Sequence, residues 1–261
     1  MATLDVVPEI SVVVPVYNEE AMLEESTRDL ATSLAALTTA YEIVLAENGS
    51  TDRTLALAED LARRMPGVRA IHVATPNYGA ALRAGLLAAR GRFVVCEEID
   101  LCDADFHRRA LELLRAGRAD LVVGSKAMEG ARDDRPWLRR FATRVYNRLL
   151  RHLFGFGGTD THGLKAGVRA RLRPVVEACR VEHDVFASEL VIRAERMGLS
   201  VVEIPVDVHE KRAPSIHLLR RVPRVLRNLR ALRAALADAP GGIGPEAEAT
   251  KSATKSVEER S

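Results

Sequence analysis

Phe93-Val94-Val95-Cys96-Glu97-Glu98-Ile99-Asp100-Leu101 is a short apolar run that stops abruptly in carboxylates, and its reading decides the fold. Strands buried on both faces of a parallel sheet are near-continuous apolar runs, and the chemistry of such sheets gathers at the strands' C-terminal ends. Glu98 and Asp100 are two apart, so on an extended chain both side chains point to the same side. Two such carboxylates suit a hard cation, Mg²⁺ or Mn²⁺, which in turn clamps a diphosphate. An acidic strand end that merely faces water uses the same residue types. The flanking chain decides between the two.

Working outward, Ile10–Val16 is a β-branched run of strand type, and Glu42 to Ala46 and Val68 to Val73 are two more. Between them lie helical stretches, one reaching about Leu37 with Leu30, Leu34 and Leu37 on a face, another carrying Leu55, Ala58 and Leu61. The turn formers of Glu47-Asn48-Gly49-Ser50-Thr51-Asp52 close the second strand, and Ser50, Thr51 or Asp52 can cap the helix that follows. Asn77-Tyr78-Gly79-Ala80-Ala81 opens a helix ended by Gly91; past the acidic stretch come a helix over 106–115 and a strand over 120–124. Alternation of this kind predicts a three-layer α/β/α domain around a mostly parallel sheet, with Tyr17, Asn48, Asp100 and Ser125 gathered at one edge.

After Gly124 the pattern changes. Residues 135–154 form a helical stripe of Leu138, Phe141, Val145, Leu149 and Leu153, with Arg139, Arg140, Arg144, Arg148 and Arg151 on its other faces. A glycine-rich loop over 155–163 holds Asp160 and His162. A helix over 185–197 contains Glu189, and a strand over 200–208 is interrupted by Pro205. A basic amphipathic helix spans 216–237, and 238–261 has the composition of a disordered tail. With an N-terminal extension over 1–8, the main domain covers 9–215.

Bulk composition is that of an ordinary globular chain: 47% hydrophobic, 28% charged and a net charge of +2. Cys96, Cys102 and Cys179 follow no metal-ligand spacing, which fits free thiols in a reducing cytoplasm. No window approaches the roughly 18 uninterrupted apolar residues of a membrane span, so the expectation is a soluble or peripheral protein. The arginines are unevenly placed: residues 211–233 contain Lys211, Arg212, Arg220, Arg221, Arg224, Arg227, Arg230 and Arg233 and no acid. Such helices lie in a membrane interface, each basic residue gaining about 1 kcal/mol from anionic headgroups. Packing on the core or in a homodimer is the other use for them. Nucleic acid is excluded by the lack of stacking aromatics beside the arginines.

Four segments, Val14-Pro15-Val16-Tyr17-Asn18-Glu19, the 47–52 turn, Asn77-Tyr78-Gly79-Ala80-Ala81 and the acidic pair, occur in an order and spacing that resemble family-2 glycosyltransferases of the GT-A fold. Within that family the chain is most similar to dolichyl- or polyprenyl-phosphate mannosyl- and glucosyltransferases, over roughly residues 9–220. The resemblance implies transfer of a hexose, with inversion, from a nucleotide sugar of GDP-mannose or UDP-glucose type to a polyprenyl phosphate. It implies that Pro15, Tyr17 and Glu19 line the nucleoside pocket, with Ala46 and Asn48 at the base edge. Glu98 and Asp100 would hold Mg²⁺ or Mn²⁺, and Lys126, Lys211 and Arg212 would meet phosphates. Asp103 and Asp105 offer a second register for the metal pair. A phosphate acceptor needs no strong base, whereas a hydroxyl acceptor needs one, for which Asp160, His162 and Glu189 are the candidates. The departures are Glu98 in place of an Asp, Asn48 in place of an Asp, Cys102 where a Gln is common, and His217 only near the position of a Lys. The same chemistry on a soluble acceptor and non-catalytic nucleotide-sugar binding are the alternatives. The expected location is the cytoplasm, at the inner face of the cell membrane.

Overall fold

The structure, a computed structural model, describes residues 7–132, 134, 136–182, 185–207 and 218–237. Ile10–Val16 (β1) is buried along almost its whole length, as a β-branched run in mid-sheet should be. It pairs in parallel with Tyr41–Glu47 (β2) on one side and Phe93–Cys96 (β4) on the other. Val68–His72 (β3) extends the sheet beyond β2. Lys165–Val168 (β6), Leu121–Ser125 (β5) and Val201–Pro205 (β7) extend it beyond β4, in the order β3-β2-β1-β4-β6-β5-β7. Only β6 runs against its neighbours, so the ends of β1, β2, β4 and β5 open on one edge.

Side chains alternate across β1 as an extended chain demands. Val12 and Val14 enter the layer formed with Leu23–Ala35 (α1), Thr54–Arg64 (α2) and Ala104–Arg115 (α4). Val13 enters the opposite layer, which holds Tyr78–Ala88 (α3), Arg169–Ala178 (α6) and Phe186–Arg196 (α7). Trp137–Phe154 (α5) and Leu218–Ala237 (α8) complete that side.

The expected α/β/α sandwich is therefore present, with three corrections. First, β6 and α6 were not apparent in the sequence, because Lys165-Ala166-Gly167-Val168 is four residues long and carries a lysine. Second, the strand does not run on through the carboxylates. It ends at Cys96, where the β6 register also ends, and residues 98–101 fold into a turn closed by the Leu101 N–H on the Glu98 carbonyl at 3.0 Å. The same-side argument for Glu98 and Asp100 thus rests on a turn and not on an extended chain.

Third, the two basic helices differ. In α8, Leu229, Leu232 and Leu236 face the core, and Arg193 and Arg196 of α7 donate to the carbonyls of Ala235 and Leu236. In α5 only one edge is buried, at Asn147, Leu150 and Phe154, while Trp137, Phe141, Val145, Leu149 and Leu153 face outward. Among the described residues no helix is long and apolar enough to cross a membrane. Lys211, Arg212, His217 and the expected tail of 238–261 lie outside the described residues.

Candidate functional site

In an open sheet the crevice forms where the strand order reverses, here between the ends of β1 and β4. Its first lip is built from residues after β1 and β2. Pro15 and Ala46 sit opposite each other in register. Asn18 adopts φ +54° and is held there by the loop after β2: its N–H donates to Ser50 Oγ at 3.0 Å, and its Oδ1 accepts the Thr51 N–H at 2.8 Å. The Glu19 N–H donates to Thr54 Oγ1 at 2.8 Å, and Tyr17 is left exposed at the mouth. Asn48 is buried, its Oδ1 accepting the Asn77 N–H at 2.5 Å, while Asn77 Oδ1 caps α3 at the Ala80 N–H. Pro15, Tyr17, Glu19 and Asn48 thus share one lip, with Ala46 fully buried in β2 behind it.

The second lip is the acidic turn. Glu98 is exposed and Asp100 half-buried. The crowding of the crevice walls pushes the Glu98 carboxyl above its ordinary value, and the Asp100 carboxylate adds to that; Lys126 opposes it. Two carboxylates held together at the cost of mutual repulsion are the donor set that a hard divalent cation relieves, so the residues present fit Mg²⁺ or Mn²⁺. Among the described residues no group of three or more metal-ligating side chains exists, which leaves the remaining positions to water and a ligand's oxygens. The carboxylates of the second register have other partners: Asp103 Oδ1 caps α4 at the Phe106 N–H, and Asp105 pairs with Arg108 and Arg109 on the surface.

The floor comes from β5, β6 and the 155–163 loop. A Cβ on Gly163 would lie 1.6 Å from the Gly124 carbonyl oxygen, so only glycine lets this loop press against the end of β5. The loop is fixed further by Glu203 of β7, which accepts the N–H groups of Thr159 at 2.7 Å and Asp160 at 3.0 Å. Ser125 Oγ meets Thr159 Oγ1 at 2.6 Å. This arrangement sets Asp160 Oδ2 3.1 Å from Lys126 Nζ, with the carboxylate fully buried. Burial alone would raise the Asp160 carboxyl, but Lys126 and the His162 amide outweigh it and hold it below its ordinary value. Lys165, buried on β6, donates to the Gly163 carbonyl at 2.7 Å, and burial pushes its ammonium down while Cys96 and Asp160 oppose.

A pocket of about 130 Å³ opens beside Lys126, walled by Ala127, Met128, Arg140, Thr143 and Arg144. Its lining is cationic and hydroxylic, which suits an anion. His162 is exposed, its Nδ1 3.2 Å from Thr161 Oγ1 and its ring edge-on to Tyr146.

Glu189 is elsewhere. It is fully buried in α7, accepting the N–H groups of Arg180 and Val181 and pairing with Arg193, whose guanidinium also reaches α8. With its oxygens so engaged it braces three segments, and the expectation of a base at this position is corrected.

Lys165 and the pocket walls Arg140, Thr143 and Arg144 escaped the sequence reading. The arginines were seen as a stripe, but only the tertiary structure brings two of them, Arg140 and Arg144, into one pocket with Lys126.

The comparisons with known proteins bear on the family and the fold. The model of glycosyl transferase family 2 matches residues 11–173. Glycosyltransferase AglD of Haloferax volcanii is 33% identical over 222 residues, which is 82% of this chain and 35% of that protein. The undecaprenyl-phosphate 4-deoxy-4-formamido-L-arabinose transferase of Pseudomonas aeruginosa is 35% identical over 209 residues, covering 78% and 58%. The chain thus spans from about a third to under two thirds of the length of these relatives. Among solved structures, the glucosyl-3-phosphoglycerate synthase of Mycobacterium tuberculosis with Mn²⁺, UDP-glucose and phosphoglyceric acid superposes with a TM-score of 0.58 at 23% identity, covering 86% of this chain and 79% of that one. S. aureus TarS with UDP-GlcNAc gives 0.56 at 17%, covering 89% and 67%. At these identities the structural likeness is one of fold, the GT-A fold, and with the family model across most of the domain it leads to one conclusion: the chain belongs to glycosyl transferase family 2.

Proposed function

We propose that this chain transfers a hexose, with inversion, from a nucleotide sugar of GDP-mannose or UDP-glucose type to a polyprenyl phosphate. The observation that carries the reading is the state of the two candidate acids, Asp160 and Glu189. Asp160 is committed to Lys126 and Glu189 to Arg193 and two amides, while a cationic pocket lies beside Lys126. A hydroxyl acceptor needs a poised base within hydrogen-bond reach. A phosphate monoester is already an anion at neutral pH and needs cations to guide it instead. The relatives named for undecaprenyl-phosphate transfer support the same acceptor class.

In this reading Pro15, Tyr17, Glu19, Ala46 and Asn48 hold the nucleoside, and the N-terminus of α3, capped by Asn77, adds its dipole near the phosphates. Glu98 and Asp100 would hold Mg²⁺ or Mn²⁺, which when bound neutralises charge on the departing diphosphate. Lys126, oriented by Asp160, steers the acceptor anion toward the donor, and Lys211 and Arg212 are the proposed further phosphate contacts.

The outward stripe of α5 suggests where the lipid is met. Trp137 is 69% and Phe141 57% exposed, and the helix carries five arginines and no acid. Self-pairing would set those arginines against one another, so an anionic lipid surface, at the inner face of the membrane, complements the helix better than a second copy does. The test of the reading is a donor screen with Mn²⁺ or Mg²⁺ and a short polyprenyl phosphate. Formation of a charged glycolipid from one donor supports it; nucleoside diphosphate release without glycolipid overturns the acceptor.

A further inference from the structure

The acidic turn stands on a buried pair to which the proposed chemistry gives no role. Glu97 immediately follows β4, and its N–H donates to the Val13 carbonyl at 3.0 Å. Its Oε1 accepts the N–H of Glu98 at 3.0 Å, and its Oε2 lies 2.6 Å from Nε2 of His107 on α4. Both side chains are out of contact with solvent. Among the described residues neither ring nitrogen of His107 makes a hydrogen bond of ordinary geometry, so the close ion-pair contact with Glu97 is what holds the imidazole. At the other end of the turn Asp103 caps the same helix, and Ile99 between them is buried. The segment that presents Glu98 and Asp100 is thus fastened to α4 twice.

A dry ionisable pair is a poor source of stability. Desolvation costs several kcal/mol per ion, and apolar replacements of similar volume are often neutral or stabilising. Apolar side chains at 97 and 107 would simply join Phe106, Leu111 and Ile99 in the surrounding core. What the pair supplies instead is direction: one carboxylate binds the backbone of Glu98 on one oxygen and a ring of α4 on the other. We propose that Glu97 and His107 are positioning residues that hold the 98–101 turn in the conformation that accepts a divalent cation. The inference rests on the proposed metal site.

The experiment is Mn²⁺ titration followed by electron paramagnetic resonance, with UDP and with GDP present, alongside thermal melts. Glu97→Gln keeps an acceptor for the Glu98 N–H and a partner for His107, and is expected within about twofold of wild type. The double variant Glu97→Leu/His107→Leu is expected to melt within a few degrees of wild type yet bind Mn²⁺ at least tenfold more weakly. Its donor KM should rise more than kcat falls at saturating metal. Should that variant not fold, Glu97→Gln/His107→Leu, which removes only the tie to α4, is expected to weaken Mn²⁺ several-fold. A folded double variant with wild-type Mn²⁺ affinity overturns the proposal. Wild-type protein that binds no Mn²⁺ with either nucleotide overturns the metal site itself, and the positioning role with it.

Discussion

Lys126 Nζ lies 3.1 Å from Asp160 Oδ2, an ion pair that joins the end of β5 to the glycine-rich loop at the floor of the crevice. Asp160 is fully buried, so replacing Lys126 by Met leaves a carboxylate without its ion-pair partner and costs about 3–5 kcal/mol. The pH dependence has a definite sign. In wild type the folded carboxyl titrates below its ordinary value, so the pair's contribution is complete above that value and is lost as pH falls through the depressed one. In Lys126→Met the main influence holding the carboxyl down is gone, so this contribution, and the part of the acid loss of stability that comes from it, shrinks. Melts between pH 3 and pH 7 check this: the variant is expected to be less stable at pH 7 and to lose less stability than wild type on acidification, and an acid loss as large as that of wild type would contradict it.

Glu189 separates bracing from catalysis. Glu189→Gln weakens the contact with Arg193 while leaving an acceptor for the Arg180 and Val181 amides. A lower melting temperature is expected, with turnover per folded molecule within about threefold of wild type. A general base would instead lose about 10²–10⁴-fold. Kinetics corrected for the folded fraction distinguish the two.

Asp100 and Asp103 should behave in opposite ways. A cation held by Asp100 supplies several kcal/mol of charge stabilisation, so Asp100→Asn is expected to lose on the order of a hundredfold or more in kcat/KM without unfolding. Asp103 caps α4, and Asp103→Ala should cost about 1 kcal/mol of stability and leave metal dependence unchanged. Metal dependence that vanished in Asp103→Ala would restore the second register.

The α5 stripe predicts binding to anionic vesicles that falls as salt is raised. Phe141→Ser with Leu149→Ser removes exposed apolar surface, so vesicle binding should drop several-fold while the melting temperature holds. Loss of dimerisation with unchanged vesicle binding would assign the stripe to a second copy.

The α/β/α frame was legible because β1, β2 and β4 are buried on both faces and read as near-continuous apolar runs. Where β4 ends was not, since that is set by the length of β6, a four-residue strand with no periodic signal of its own. The carboxylates were visible as residue types, but the turn that carries them was not. Amphipathic pattern showed that α5 and α8 each have an apolar face without showing what covers it: core for α8, solvent for α5. The Gly155 to Gly163 loop was recognisable from its glycines, and in the fold Gly163 presses against Gly124. Asp160 and Glu189 looked alike as sequence. Only tertiary contacts put one beside Lys126 and the other beneath α8.

The central claim is that the acceptor arrives as an anion. The most direct measurement offers the enzyme two acceptors of the same chain length, a polyprenyl phosphate and the corresponding polyprenol, with the active donor and Mn²⁺. The account predicts sugar transfer to the phosphate alone, with a rate cut by an order of magnitude or more when the pocket arginine Arg144 is replaced by Ser. Transfer to the polyprenol at a comparable rate, or indifference to Arg144, would contradict it.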